Sequence, residues 1–123
     1  MPSDAAPDRA RDPECLFCRL VAGEVPVDVV SRTERVVAFR DIDPQAPVHV
    51  LVVPVDHHRD AAALAAADPS LLAEVVAAAD AVGAAECDHQ YRLVWNTGPQ
   101  AGQSVFHVHA HVLGGRPLRW PPG

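Results

Sequence analysis

The chain has 123 residues, of which 49% are hydrophobic, and this length suits a single domain with one modest core. Its formal net charge is −6 at pH 7, which argues against a nucleic acid as the main partner, because proteins that bind one usually carry a basic patch. All ten basic residues are arginines, so the chemistry cannot use a lysine as a Schiff base or general base.

The amino-terminal stretch is polar, charged and proline-containing, and it predicts a disordered tail over residues 1–13 ahead of one domain over 14–123. This stretch lacks the basic-then-apolar order of a signal peptide, and no run of about 18 apolar residues predicts a membrane span. We therefore expect a cytoplasmic protein, without membrane contact, whose three cysteines are reduced.

The predicted elements alternate between helices and strands. A short helix is predicted within CLFCRLVAG, residues 15–23, where apolar residues recur at helical spacing and Gly23 is a natural stop. Asp68 and Pro69 predict the start of a helix of roughly five turns that continues to Cys87. Five strands are predicted, at residues 27–31, 35–40, 48–55, 91–96 and 105–113. This order predicts an α+β fold: a five-stranded antiparallel sheet with one long and one short helix.

Three histidines alternate in the last predicted strand, SVFHVHAHVLGG, at positions His107, His109 and His111. Side chains at every second position of a strand point to one face, so we expect the three imidazoles on one face and the residues between them under the long helix. Three interpretations are open: a solvated polar face, a zinc hydrolase in which two of the histidines bind the metal, or a nucleophile with two helpers.

The residues around the histidines favour nucleophilic catalysis over a catalytic metal. Ser104 can donate a hydrogen bond, and Asn96, at the end of the neighbouring predicted strand, is another neutral donor. The loop NTGPQAGQ supplies glycines and backbone N–H groups that suit a phosphate. No carboxylate lies within the strand. A neutral set that is rich in donors is what phosphoryl transfer needs to stabilise spread-out negative charge.

The segment HVHAHVLGG is the His-x-His-x-His-x-x pattern of the histidine triad superfamily, in which x is apolar. Together with AFRDIDPQAPVHVLVVPVDH, YRLVWNTGPQAGQSVFHVHAHVLGGR and the terminal WPPG, it resembles the Hint branch, the histidine triad nucleotide-binding proteins. The resemblance covers residues 14–123. It implies a HIT-like fold and a homodimer, in which the C-terminal segment with Trp120 lies near the partner's active site.

The resemblance also implies an activity, that of a purine nucleoside phosphoramidase, which hydrolyses the P–N bond of adenosine 5′-phosphoramidates and similar conjugates. His109 would attack the α-phosphorus and form a nucleotidyl-histidine intermediate, from which water would release the nucleoside monophosphate. His107 and His111 would contact phosphate oxygens, and Ser104 would hydrogen-bond the phosphate or the leaving amine. No cofactor is implied for this chemistry.

The substrate contacts follow from the same resemblance. Asp41 would accept hydrogen bonds from the ribose hydroxyls, and Asn96 would lie against the ribose-phosphate. His57 falls near the phosphate site. The base slot and the remaining implied contacts comprise Leu16, Phe17, Leu20, Phe39, Ile42, His49 and Trp120. Considered alone, the apolar members of this set are equally plain core residues, and Asp41 can be a turn former. The slot does not separate adenine from guanine, so the expected partner is a purine nucleotide or nucleoside phosphoramidate.

Cys15 and Cys18 form a Cys-x-x-Cys pair, which can supply two of the four ligands of a structural zinc. A second such pair is absent, so we expect His49 and His107 to complete the site. Some bacterial members of the superfamily carry this pair and a zinc completed by two histidines. The alternative is a pair of unliganded cysteines packed in a core, which is also the interpretation of Cys87.

Three functions therefore remain open. The leading one is a metal-independent nucleotidyl hydrolase that works through His109. The second is a zinc-dependent hydrolase that uses the triad as ligands, and the third is a nucleotide-binding adaptor without significant catalysis.

Overall fold

The structure, a computed structural model, describes residues 12–123. Within that range it has three α-helices: α1 (Leu16–Val21), α2 (Ala61–Ala67) and α3 (Pro69–Cys87). It has five strands: β1 (Val29–Arg32), β2 (Val36–Arg40), β3 (Val48–Pro54), β4 (Tyr91–Trp95) and β5 (Ala110–Gly114). The strands form one antiparallel sheet in the order β1-β2-β3-β5-β4. The predicted α+β class and five-stranded sheet are thus confirmed.

The alanine-rich segment before the long helix contains a helix that the sequence did not predict. The Asp60 side chain caps α2 by accepting a hydrogen bond from the Ala63 N–H at 2.9 Å. Asp68 ends α2 and also caps α3, where its carboxylate accepts from the Leu71 N–H at 3.1 Å. The alanines of α2 carry almost no apolar periodicity, so the signals for this helix were the cap at Asp60 and the high helix propensity of alanine.

The last strand is shorter than predicted, because it begins at Ala110 and not at residue 105. The backbone before it bonds to a loop instead of the sheet: the Val108 N–H donates to the His58 carbonyl at 2.7 Å. His107 and His109 therefore precede the strand, although Val108 between them still packs in the same core as Ala110 and Val112.

The sheet has a separate apolar core on each face. The first core lies under α2 and α3 and contains Val36, Ala38, Val50, Val52, Leu64, Leu71, Val75, Ala79, Val82, Val108, Ala110 and Val112. The second lies under α1 and contains Cys15, Phe17, Cys18, Leu20, Val21, Val37, Phe39, Leu51, Val53 and Val55. Because successive side chains of a strand point to opposite faces, β2 and β3 supply both cores. The residues between the histidines enter the first core as predicted, so the triad faces α1.

The predicted tail falls on residues 1–13, of which 1–11 lie outside the described residues. Asp12 packs against the start of α1: its N–H donates to the Cys18 Sγ at 3.3 Å, and its carbonyl accepts from the Cys15 N–H at 3.0 Å. No helix in the described range is both long enough and apolar enough to cross a membrane.

Candidate functional site

A cleft of about 410 Å³ lies between α1, the end of β2 and the triad. It brings together the whole predicted base slot with Asp41 and three of the four predicted catalytic residues. The lining includes Leu16, Phe17, Leu20, Phe39, Asp41, Ile42, Ser104, His109 and His111. Phe17 and Phe39 are buried and meet edge to face at 5.8 Å, whereas Ile42 is 93% exposed at the mouth. The apolar lining with few polar groups is the usual form of a small-molecule site.

His109 is buried beside this cleft, and its hydrogen bond determines its tautomer. Its Nδ1 lies 2.8 Å from the carbonyl oxygen of His107. A carbonyl can only accept, so Nδ1 carries the proton and the neutral ring keeps a lone pair on Nε2. Burial lowers the pKa of His109 below its ordinary value, opposed in part by that hydrogen bond and by Asp41. The ring is therefore neutral at pH 7 and has the free nitrogen that a nucleophile requires.

His111 is oriented by a hydrogen-bond relay through His49. The Gln45 N–H donates to His49 Nδ1 at 3.0 Å, so the proton of His49 is on Nε2. His49 Nε2–H then donates to His111 Nδ1 at 2.9 Å, which places the His111 proton on Nε2. That nitrogen is buried and has no partner among the described residues. Burial also lowers the pKa of His111 to about 4, so the ring is a neutral donor that can reach an anionic oxygen.

Asp41 is fixed at the end of β2 with acceptor capacity to spare. Its Oδ1 accepts from the Asp43 N–H at 2.8 Å, and its Oδ2 lies 3.4 Å from His49 Nε2. A carboxylate has about four acceptor positions, so these contacts leave room for hydroxyl groups. The half-buried Asp41 can therefore bind a polar group in the cleft while remaining anchored.

A second cluster lies at the start of α1 and consists of Cys15, Cys18, His57 and His107. Their ligand atoms all lie within 4.8 Å of one another. His107 Nε2 is 2.8 Å from the Pro54 carbonyl, so it carries the proton and leaves a lone pair on Nδ1, which is 3.5 Å from both sulfur atoms. His57 Nδ1 is 3.4 Å from the Cys18 Sγ. Two thiols and two imidazoles, of which His107 is oriented by Pro54, fit a tetrahedral zinc.

The fourth member of this cluster differs from the prediction, because His57 and not His49 stands beside the cysteines. His107 bonds to Pro54, so the cluster lies at the end of β3 where Pro54 is. His49 lies five residues earlier on that strand, roughly 16 Å away at the rise of a β-strand. It is occupied instead in the relay to His111. His57 lies three residues after the end of β3, and this position was the signal in the sequence for its place beside the cysteines.

The remaining predicted residues do not line the cleft. Asn96 follows the end of β4 and is half-buried, and Trp120 is 80% exposed; neither is among the residues that line the cleft. His89 is exposed, whereas His58 is half-buried. Cys87 packs at the end of α3, where a Cβ at Gly114 would come within 2.5 Å of its Sγ.

The chain is similar to known proteins over nearly its whole length. The family model of the HIT domain matches residues 22–118. The 14 kDa zinc-binding protein of Zea mays is 40% identical over 123 residues, which cover 98% of this chain and 96% of that protein. A HIT family hydrolase from Legionella pneumophila superposes with a TM-score of 0.85 at 43% identity, covering 89% of this chain and 100% of its own. A histidine triad nucleotide-binding protein from Candida albicans superposes with a TM-score of 0.75 at 26% identity, and the match covers 88% of this chain and 83% of that protein.

Proposed function

The chain belongs to the HIT domain family, and from this membership and the geometry of the cleft we propose that it is a purine nucleoside phosphoramidase of the Hint branch. The substrate is a nucleoside 5′-phosphoramidate, and the products are an amine and a nucleoside monophosphate. The observation that carries the proposal is the Nδ1–H tautomer of His109, whose Nε2 lone pair lies beside a cleft of nucleoside size.

In the first step, His109 Nε2 forms a bond to the α-phosphorus while the P–N bond breaks, and the leaving amine takes up a proton from solvent at the rim of the cleft. In the second, water attacks the phosphorus and gives its proton back to solvent, the bond to Nε2 breaks, and the monophosphate departs. The buried Nε2–H of His111 donates to a phosphoryl oxygen as negative charge spreads over it. Ser104 is exposed at the rim of the cleft, where its hydroxyl can reach the phosphate or the leaving amine. Asn96 is proposed to approach the ribose-phosphate.

The direct test is turnover of an adenosine 5′-phosphoramidate with a fluorescent amine, with both AMP and the amine measured. We expect the two products in equal amounts, without added metal. Binding of AMP without turnover would support the adaptor instead. Activity that chelators abolish, while the fold and thermal stability persist, would support a zinc hydrolase.

Asp41 is proposed to bind the two ribose hydroxyls. Loss of a hydrogen bond to a charged group costs about 1.5–3 kcal/mol, so Asp41→Asn should lower kcat/KM for the ribonucleoside substrate about ten- to hundredfold. With the 2′-deoxy substrate, the same substitution should lower kcat/KM much less. The matched control is Asp43→Asn, an exposed carboxylate in the same loop outside the cleft lining. An equal loss with both sugars would contradict the ribose role.

The pH dependence follows from the neutral state of His109. Protonation removes its lone pair, and burial lowers its pKa below the ordinary 6.5, so kcat/KM should stay level as the pH falls past 6.5 and decline only at more acidic pH. The pH profile of kcat/KM reports the pKa of His109 in the free enzyme. Circular dichroism over the same range separates titration from unfolding. An acidic limb centred at or above pH 6.5 would contradict a buried neutral nucleophile.

The cysteine–histidine cluster is proposed to hold a structural zinc through Cys15, Cys18, His57 and His107. Burial raises the pKa of Cys18 to about 11 in the metal-free chain, so a thiolate there needs a bound cation. The zinc, when bound, supplies a cross-link between α1 and the segments around His57 and His107. The maize relative is named as a zinc-binding protein, which supports this assignment.

The active form is proposed to be a homodimer. Among the described residues, β4 is an edge strand with one unpaired side, and Trp120 is 80% exposed. Exposed edges and large exposed aromatic side chains are the features that a second subunit covers. Sedimentation of the purified protein measures the state directly, and a monomer at micromolar concentration would contradict it.

A further inference from the structure

Two contacts join the cysteine–histidine cluster to the nucleophile. His107 belongs to both sites: its Nδ1 lies 3.5 Å from both sulfur atoms, and its carbonyl accepts the Nδ1–H of His109 at 2.8 Å. Phe17 is the second link, because it lies in α1 between Cys15 and Cys18. Its ring meets the ring of His107 edge-on at 6.0 Å and the ring of His109 at 5.0 Å.

We infer that the metal-loaded cluster sets the tautomer and orientation of His109, so that Cys15, Cys18 and His57 are positioning residues for the hydrolysis and not only a cross-link of the fold. The inference rests on the proposed function, because it concerns the same nucleophile.

The first link acts through the His107 backbone. Its ring is held at both nitrogens, by the Pro54 carbonyl at Nε2 and by the cluster at Nδ1. A ring fixed at two points fixes the direction of its own carbonyl, and that carbonyl is what keeps the His109 proton on Nδ1. If it turned away, the proton could move to Nε2 and no lone pair would face the phosphorus. A misplacement of about 1 Å at a reacting group can cost about a hundredfold in rate.

The second link acts through α1, which has only six residues and is too short to be stable alone. Cys15 is its N-cap, because its Sγ accepts from the Cys18 N–H at 3.4 Å. Metal ligation by both cysteines therefore tethers this helix, and with it the Phe17 ring that packs edge-on against His109. Release of the tether would free the nucleophile's ring on its cleft side.

The test is the double variant Cys15→Ser with Cys18→Ser. Serine keeps an acceptor at the N-cap of α1 but removes both thiolates, so loss of the metal is separated from loss of the cap. We expect a folded, metal-free protein whose kcat falls about ten- to hundredfold, the range typical of residues that orient metal ligands. The dissociation constant for AMP should change far less than kcat. Nitrogen-15 NMR of His109 should show protonated Nδ1 in the loaded wild type and mixed tautomers in the variant.

Two further variants complete the experiment. The kcat of His57→Ala should fall, and His57→Cys should keep most of the wild-type kcat, because three cysteines and one histidine also form a zinc site. Cys87→Ser, which alters a cysteine outside the cluster, is the matched control. If the double serine variant does not fold, His57→Ala and His57→Cys give the same comparison between a protein without the metal and one that holds it.

Wild-type kcat in a folded, metal-free variant would overturn the inference. So would a parallel loss of kcat and AMP affinity with an unchanged His109 spectrum, since a purely structural metal predicts that result. A wild type without turnover would instead refute the proposed function, and the His109 spectrum would then still test the positioning.

Discussion

Replacement of His109 by alanine should lower kcat/KM for an adenosine 5′-phosphoramidate by at least about a thousandfold, because no other imidazole among the described residues that line the cleft offers a free lone pair there. His111 presents an N–H there, since its Nδ1 accepts from His49. His107 is buried at 0% exposure, with one nitrogen bonded to a carbonyl and the other facing the cysteines. Steady-state kinetics with the fluorescent substrate measure the loss.

The matched control for this variant is His89→Asn. His89 is exposed, and asparagine tolerates its positive φ of 61°. We expect wild-type kinetics from the control, and unchanged circular dichroism and AMP binding from His109→Ala. Substantial turnover by folded His109→Ala would refute nucleophilic catalysis at this position and return the zinc hydrolase to consideration.

Loss of the structural zinc should produce the largest change in stability. The purified protein should contain one zinc per chain, and Cys18→Ala should contain none. The free energy of unfolding should fall by about 3 kcal/mol or more, because metal binding to the folded state contributes directly to stability. Native mass spectrometry gives the metal content, and thermal unfolding with and without chelator gives the stability.

Cys87→Ser is again the control, since Cys87 packs at the end of α3 and lies outside the cluster. It should keep its zinc. A wild type that purifies without zinc, and whose melting temperature does not respond to zinc or to chelator, would contradict the proposed metal site. The buried cysteines would then be packing residues.

The general arrangement could be predicted because it depends on local patterns. Alternation sends the residues between the histidines into the core under α3 and turns the histidines towards α1. The N-cap at Asp68 followed by proline placed the start of α3 correctly. Such signals lie within a few residues of the element that they specify, so one sequence is enough to reveal them.

The parts that could not be predicted depend on contacts between distant segments. His49 and His111 are 62 residues apart, and their hydrogen bond follows from the register of β3 against β5. The same register carries His49 away from the cysteines and leaves His57 to complete the cluster. Sequence spacing identifies ligand types but not which end of a strand meets α1, so the choice between the two histidines needed the structure.

The proposed mechanism requires that His109 become covalently attached to the nucleotide. The most direct measurement is rapid mixing of the enzyme with an adenosine 5′-phosphoramidate, a quench in alkaline denaturant that preserves a P–N bond to histidine, and mass spectrometry of the peptides. We expect an adenylyl group on His109 that appears and decays at rates compatible with turnover. An adenylyl group on another residue, or turnover with no adduct at any time point, would contradict it.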